Sequence, residues 1–149
     1  MNAQKTKGDS ILKEMLSASM TKIMFDRPDT NFIELTDASG YTHEKIKATI
    51  KATILPGDYA SAEKEFRNVK SENDLKNLDT IHHFVNNKAA FSLIQEWISP
   101  SSDYENYISI TTIIPNSSTI SYVVIGAYPK SHDKALRKKF IASALSLMK

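Results

Sequence analysis

Residues 119–148 read TISYVVIGAYPKSHDKALRKKFIASALSLM, and this stretch decides the fold. Its first ten residues form a predicted strand that is apolar on both faces, which is typical of a central strand in a covered sheet. Pro129 ends the strand because proline cannot donate to the ladder. Apolar residues then recur at helical spacing, which predicts an amphipathic helix with Ser131 or Asp133 as its N-cap. The strand and the helix are expected to pack against each other.

The composition is that of an ordinary globular domain, with 149 residues, 41% hydrophobic, 24% charged and a net charge of +2. The chain has no cysteine, which excludes disulfides, thiolate metal sites and a cysteine nucleophile. No run of about 18 apolar residues is present, so no integral membrane segment is predicted. The tyrosines lack the neighbouring lysines and arginines of an RNA-binding sheet, so no nucleic-acid partner is expected.

Residues 1–20 are expected to form a polar tail and a helix that runs from Asp9 or Ser10 to about Met20. Residues 21–149 are expected to form a single domain. The short polar start looks like the remnant that export processing leaves. We therefore expect an exported bacterial protein, periplasmic or secreted, with a cytoplasmic location as the alternative.

The segment from Lys45 to Ile54 alternates apolar residues with lysines and threonines. This pattern predicts a half-buried strand with one basic face. Lysines discourage pairing between sheet edges, so an edge position is expected for this strand. Two short strands, residues 21–25 and 31–36, are predicted before it, on either side of a turn.

The Pro56–Gly57 pair ends that strand, and Asp58 is the predicted cap of a short helix that reaches about Arg67. An antiparallel meander follows, with strands predicted at 78–85, 88–98, 104–114 and 119–128. Asn86 and Asn87 tolerate positive φ and form its first tight turn. This order predicts the α+β class, with an antiparallel β-sheet flanked by helices.

Five short, mostly hydrophobic segments carry a family resemblance. They are Leu55-Pro56-Gly57, Phe66 in the short helix, and residues 87–90, 124–129 and 143–148. Together they resemble the Mog1/PsbP-like family over residues 21–149. The resemblance implies an α/β/α sandwich around the antiparallel sheet. The family contains assembly and accessory factors, one of which binds a small GTPase and another of which is attached to photosystem II. This chain shows no residues from which either of those two partners could be expected.

The residues that could carry chemistry form no recognised catalytic or metal site. His82 and His83 are adjacent in a predicted strand and point to opposite faces, so they cannot readily share a metal. One histidine is expected at the surface and the other hydrogen-bonded inside. No nucleophile elbow surrounds a serine, and four glycines leave no phosphate loop. We expect a non-catalytic binding or accessory module without a cofactor, whose partner is an unknown protein or small molecule. A small hydrolase or isomerase with an unrecognised site is the alternative.

A binding site, if present, is expected at one end of the meander, because alternate connections emerge at the same end. The segments near Ser99–Asp103 and Pro129–Asp133 share that rim. The candidate binding residues there are Trp97, Tyr104, Tyr128, Lys130 and His132. Aromatic side chains with one polar handle are favoured at binding hot spots. The alternative is that Trp97 and Tyr128 merely cap the core beneath the final helix.

Overall fold

The computed structural model describes Leu12 and residues 22–149. Apart from Leu12, the helix predicted before Met20 lies outside this part of the chain. The strands are β1 Ile33–Glu34, β2 Ser39–His43, β3 Ala48–Pro56, β4 Leu75–Val85, β5 Lys88–Trp97, β6 Tyr107–Pro115 and β7 Ile120–Pro129. The helices are α1 Tyr59–Arg67 and α2 Asp133–Leu145, and 3₁₀ turns at Lys130–His132 and Ser146–Met148 flank α2.

The seven strands form one antiparallel sheet in the order β1-β2-β3-β7-β6-β5-β4. Strand β7 lies at its centre, between β3 and β6, which confirms the central position predicted from its two apolar faces. The helices cover opposite faces of the sheet. The α+β class and the layered order of helix, sheet and helix are therefore as predicted.

Helix α2 closes one face of the sheet with aromatic packing. The ring of Phe140 lies 5.1 Å from that of Tyr128 and 5.7 Å from that of Phe32, both edge to face. All three side chains have almost no exposed surface. The Phe140 ring also fills the space above Gly126, where an added Cβ would lie only 2.2 Å from a ring carbon. Glycine at this position lets the helix approach the central strand.

Helix α1 covers only one end of the opposite face. It begins after Asp58, whose carboxylate accepts a hydrogen bond from the Ser61 backbone N–H at 2.9 Å, as the sequence predicts. Its Ala62 is buried, and Tyr59 and Phe66 pack partly buried around it against Phe91 and its neighbours. The other end of this face carries the residues of the candidate site.

Three sequence predictions about the strands are wrong. Strand β3 is internal, between β2 and β7, and it begins at Ala48 because Lys47 has a φ of +58° in the β2–β3 turn. Strand β2, in a segment predicted to be a turn and a loop, supplies the second partner of β3. Residues 22–27 are not a strand, and the predicted strand at 31–36 shrinks to Ile33–Glu34.

The predicted cap of the final helix is also wrong. No side chain caps α2 at its N-terminus. The Ser131 hydroxyl donates to Glu105 instead, and the Asp133 carboxylate accepts from Tyr128 and Arg137. Both side chains serve tertiary contacts that the local sequence does not reveal.

Candidate functional site

A cleft of about 490 Å³ opens where β5 ends and β6 begins. Trp97 and Tyr107 are direct partners across these strands and point to the face that α1 covers at its other end. Tyr104, on the β5–β6 loop, forms another wall. Trp97 is 45% exposed and Tyr104 is 72% exposed. Two large aromatic surfaces therefore meet solvent beside one depression, which is the composition of a binding hot spot.

A hydrogen bond from its indole N–H holds Trp97 in place. Its indole Nε1–H donates to the Oγ of Ser109 at 2.9 Å. Ser109 lies two residues beyond Tyr107 on β6 and therefore faces the same side of the sheet. The anchored nitrogen fixes the orientation of the ring, and much of its apolar face remains open to the cleft.

The loop that forms the cleft is tied to the sheet by Asn106. Its Oδ1 accepts from the Ser99 backbone N–H at 2.8 Å, and its Nδ2 donates to Glu96 Oε2 at 2.7 Å. The Lys130 ammonium donates a hydrogen bond to the same Glu96 oxygen at 3.1 Å. These hydrogen bonds from Asn106 and Lys130 lower the pKa of Glu96, so the carboxylate stays ionised at neutral pH.

A second tie joins the loop to the start of the final helix. Glu105 accepts from the Ser131 backbone N–H at 2.7 Å and from the Ser131 hydroxyl at 3.1 Å. The backbone donor is the main cause that lowers the pKa of Glu105. With both ties in place the loop is preorganised, so binding at the cleft would cost little ordering entropy.

The five candidate binding residues predicted at this rim do not form one site in the structure. Trp97 and Tyr104 line the cleft. Lys130 binds Glu96 behind the loop, and His132 is half-buried in the 3₁₀ turn before α2. Tyr128 has no exposed surface, so it cannot belong to a surface site.

Tyr128 is a core residue beneath the final helix, as the alternative interpretation holds. Its hydroxyl donates to Asp133 Oδ1 at 2.5 Å, and Arg137 binds the same carboxylate through two hydrogen bonds. Burial and the bond to Asp133 raise the pKa of Tyr128 far above its usual value. Trp97 faces the opposite side of the sheet, because its ladder partner Tyr107 pairs with Pro129, the residue after Tyr128.

A larger cavity of about 730 Å³ lies on the same side of the sheet, beside β3 and β7. Thr49 and Lys51 line it from β3, and their ladder partners Ala127 and Ile125 line it from β7. Lys51 is exposed and makes no ion pair with the described residues. The alternation of residues 45–54 was the available signal for this cavity, although lysines in such a pattern also suggest protection of a sheet edge.

The two strand histidines behave as the sequence predicts. His82 is exposed, and His83 is partly buried with its Nε2 2.9 Å from the Ser92 hydroxyl. The Ser92 hydroxyl is also hydrogen-bonded to the Thr112 hydroxyl, at 2.7 Å. Burial lowers the pKa of His83 and favours its neutral form. Within residues 22–149 and Leu12, no group of three or more metal-ligating side chains comes together, and no helix is long and apolar enough to cross a membrane.

No family model and no curated protein matches the sequence. Among solved structures, LpqN of Mycobacterium tuberculosis, described as involved in cell envelope biogenesis, is similar with a TM-score of 0.54 and 13% identity, over 80% of this chain and 79% of that chain. Cyanobacterial PsbP (CyanoP) from Synechocystis sp. PCC 6803 is similar with a TM-score of 0.50 and 10% identity, over 78% and 81%. Both have Mog1/PsbP-like folds, so the Mog1/PsbP-like fold predicted here is confirmed. At these identities the likeness concerns the fold alone.

Proposed function

We propose that this chain is a non-catalytic binding or accessory module of an exported bacterial protein, and that a partner protein docks at the cleft between Trp97 and Tyr104. The observation that carries this proposal is the exposure of both aromatic side chains beside a preorganised loop. Exposed apolar side chains that adjoin one another in a single patch mark interaction sites.

The chemistry of the cleft indicates what kind of segment would fit. Its charged lining residues are Asp74 and Glu105, and no lysine or arginine of the described chain lines it. The exposed faces of Trp97 and Tyr104 attract both apolar groups and cations. The expected partner segment is therefore apolar, with a positively charged rather than an acidic flank.

The alternative of a small hydrolase finds no support in the serine–histidine pair of the fold. His83 and Ser92 are within hydrogen-bond distance, as a nucleophile and its base would be. Ser92, however, has no exposed surface, and its hydroxyl is also bonded to Thr112. A substrate carbonyl cannot reach a hydroxyl that is enclosed in this way, so the pair is better explained by packing.

Photo-crosslinking in the native bacterium tests the docking site. A benzophenone side chain at Tyr104 is expected to capture one defined partner, because Tyr104 points into the cleft. The same group at Lys64, exposed on helix α1, is the matched control. Trp97→Ala should remove the adduct from position 104 without unfolding the chain. Equal adducts from positions 104 and 64, or an adduct that survives Trp97→Ala, would contradict the proposal.

The proposed export is supported by the fold shared with LpqN, a protein involved in cell envelope biogenesis. Reading the codons upstream of Met1 in the native gene tests it. An in-frame hydrophobic leader is expected. A stop codon directly upstream would exclude export by this route.

A small-molecule ligand is the second candidate, and the cavity beside β3 favours it. Its volume of about 730 Å³ lies within the usual range of small-molecule sites. Lys51 would supply a cation, and Ile125 an apolar wall. A thermal-shift screen with metabolites tests this candidate, since a ligand that binds only the folded chain raises its melting temperature. A true ligand of this cavity should lose its effect in Lys51→Met and keep it in Lys64→Met.

A further inference from the structure

Among the described residues, strand β4 forms one edge of the sheet and pairs with β5 alone. The residues on either side of a two-residue hairpin turn exchange hydrogen bonds, so Val85 pairs in this way with Lys88 across the Asn86–Asn87 turn. Alternate residues behind Val85 therefore bond to β5, and the backbone groups of Thr80, His82 and Phe84 face outward. The Thr80 N–H agrees with this assignment, because it bonds to the Asp79 side chain and not to β5.

The outward row of β4 carries little of the protection that sheet edges usually have. The opposite edge, β1, is two residues long, whereas β4 has eleven. Residues 77–85 contain no proline, lysine or arginine, and a bulge between Asn77 and Asp79 is the one irregularity. In the described part of the chain, no segment outside the sheet forms a hydrogen bond with the β4 backbone between Leu78 and Val85. An edge of this kind is a template for another strand.

We infer that β4 pairs with β4 of a second copy of this chain, antiparallel and centred on Ile81, to give a continuous fourteen-stranded sheet (two copies of seven strands). In a two-fold dimer the outward-facing residues of one strand must meet the outward-facing residues of the other. The outward-facing residues all have even numbers, so the two residue numbers of any facing pair sum to an even number. The two-fold axis then passes between the two copies of one residue, which is the centre of the register. This rule leaves few registers to compare.

The register centred on Ile81 is the one in which the strand complements itself. It places Asp79, a hydrogen-bond acceptor, opposite His83, whose neutral imidazole can donate from one ring nitrogen, and both side chains lie on the face under α2. It also brings Leu78, the extra residue of the bulge, near Phe84, and these are the two exposed large apolar residues of the strand, 43% and 73% exposed. A register centred on Thr80 would set Asp79 against Ile81, and one centred on His82 would set His82 against itself. Hydrogen-bonding pairs and apolar pairs stabilise facing positions, and two identical histidines facing each other supply neither.

Cysteine crosslinking tests the register directly, because the natural chain has no cysteine. The inferred register places Thr80 of one copy opposite His82 of the other, with Cα atoms about 5.5 Å apart, within disulfide range. A mixture of Thr80→Cys and His82→Cys chains should form mixed disulfide dimers, and each variant alone should not. Thr80→Cys homodimers or His82→Cys homodimers would overturn the register. Crosslinking no faster than that of Lys64→Cys, exposed on α1, would overturn the pairing itself.

Sedimentation of the full chain over a series of concentrations tests whether the pairing occurs in solution. His82→Pro removes one outward donor from each copy and leaves the ladder with β5 intact. Two lost hydrogen bonds should weaken association about 30-fold, at roughly 1 kcal/mol each. His82→Ala keeps both donors and should associate like the natural chain. A natural chain that remains monomeric up to its solubility limit, or equal association of all three proteins, would overturn the inference.

Discussion

The sheet face under α2 and the face under α1 are made by the same strands, yet they differ in how completely their large side chains are buried. Under α2, Phe140, Tyr128 and Phe32 close the surface and leave no aromatic side chain exposed among them. Under α1, the helix ends before the sheet does, and Trp97 and Ile125 remain 45% and 47% exposed. The closed face holds the fold together, and the half-open face is available for recognition.

The lengths of the helices explain this difference. Helix α2 has thirteen residues and is extended by 3₁₀ turns at both ends, whereas α1 has nine. A helix rises about 1.5 Å per residue, so α1 is about 13 Å long and cannot cover strands of nine or ten residues. At the end that α1 does not cover, Gln95 and Ser109 are buried and hydrogen-bonded, and Trp97 remains 45% exposed.

The largest effect is expected from a charge on the closed face. Phe140→Asp removes a ring that is 1% exposed and buries a carboxylate in its place. Loss of the ring alone should cost about 3–5 kcal/mol, a large part of the stability of such a domain. Urea unfolding measures it, with exposed Lys138→Asp on the same helix as the control. A Phe140→Asp variant that unfolds at nearly the same urea concentration as the natural chain would show that α2 is wrongly placed.

A smaller effect is expected where α2 approaches the sheet. Gly126→Ala would place a methyl 2.2 Å from Phe140 Cδ2, so the buried ring must move. We expect a loss of about 1–3 kcal/mol from this overpacking. Phe140→Leu should relieve the conflict, so the double variant should be more stable than the sum of the single losses predicts. Strict additivity of the two changes would mean that the two residues do not touch.

On the half-open face, Trp97→Ala should cost less than a core substitution. About half of the side chain is already in water, so we expect about 1–2 kcal/mol, including the hydrogen bond to Ser109. Iodide should quench the fluorescence of Trp97 strongly, and Trp97 is the sole tryptophan of the chain. A shielded, blue-shifted emission and a loss of more than about 3 kcal/mol would identify Trp97 as a core residue.

The smallest effect, and a pH-dependent one, is expected at Glu96, which holds the cleft loop. The pKa of Glu96 is lowered in the folded chain, so the ionised carboxylate adds stability above its unfolded pKa of about 4.3. This contribution disappears as the pH falls through the folded pKa. Glu96→Gln should therefore lose about 1 kcal/mol at pH 7 and nothing in more acidic buffer, below that folded pKa. Exposed Glu65→Gln is the control, and a gap that persists in acid would contradict the assignment.

The sequence by itself determined those features whose signals are local. Asn86 and Asn87 adopt positive φ in the tight turn, and Asp58 caps α1, because these side chains act on their own backbone. The central position of β7 also followed from the sequence, since a strand apolar on both faces needs a cover on both sides. The α+β class followed from the order of these elements, and the Mog1/PsbP-like fold from the resemblance that the short segments carry.

Only the tertiary structure decided which residues of the rim face solvent. Trp97 and Tyr128 are both large aromatic residues near strand ends, yet ladder register turns one to the half-open face and the other beneath α2. The lysines at positions 45, 47 and 51 likewise suggested edge protection, but β2 pairs with β3 and makes that strand internal. Burial depends on partners distant in the sequence, whereas alternation within one strand shows only that two faces differ. It does not show which face a helix covers.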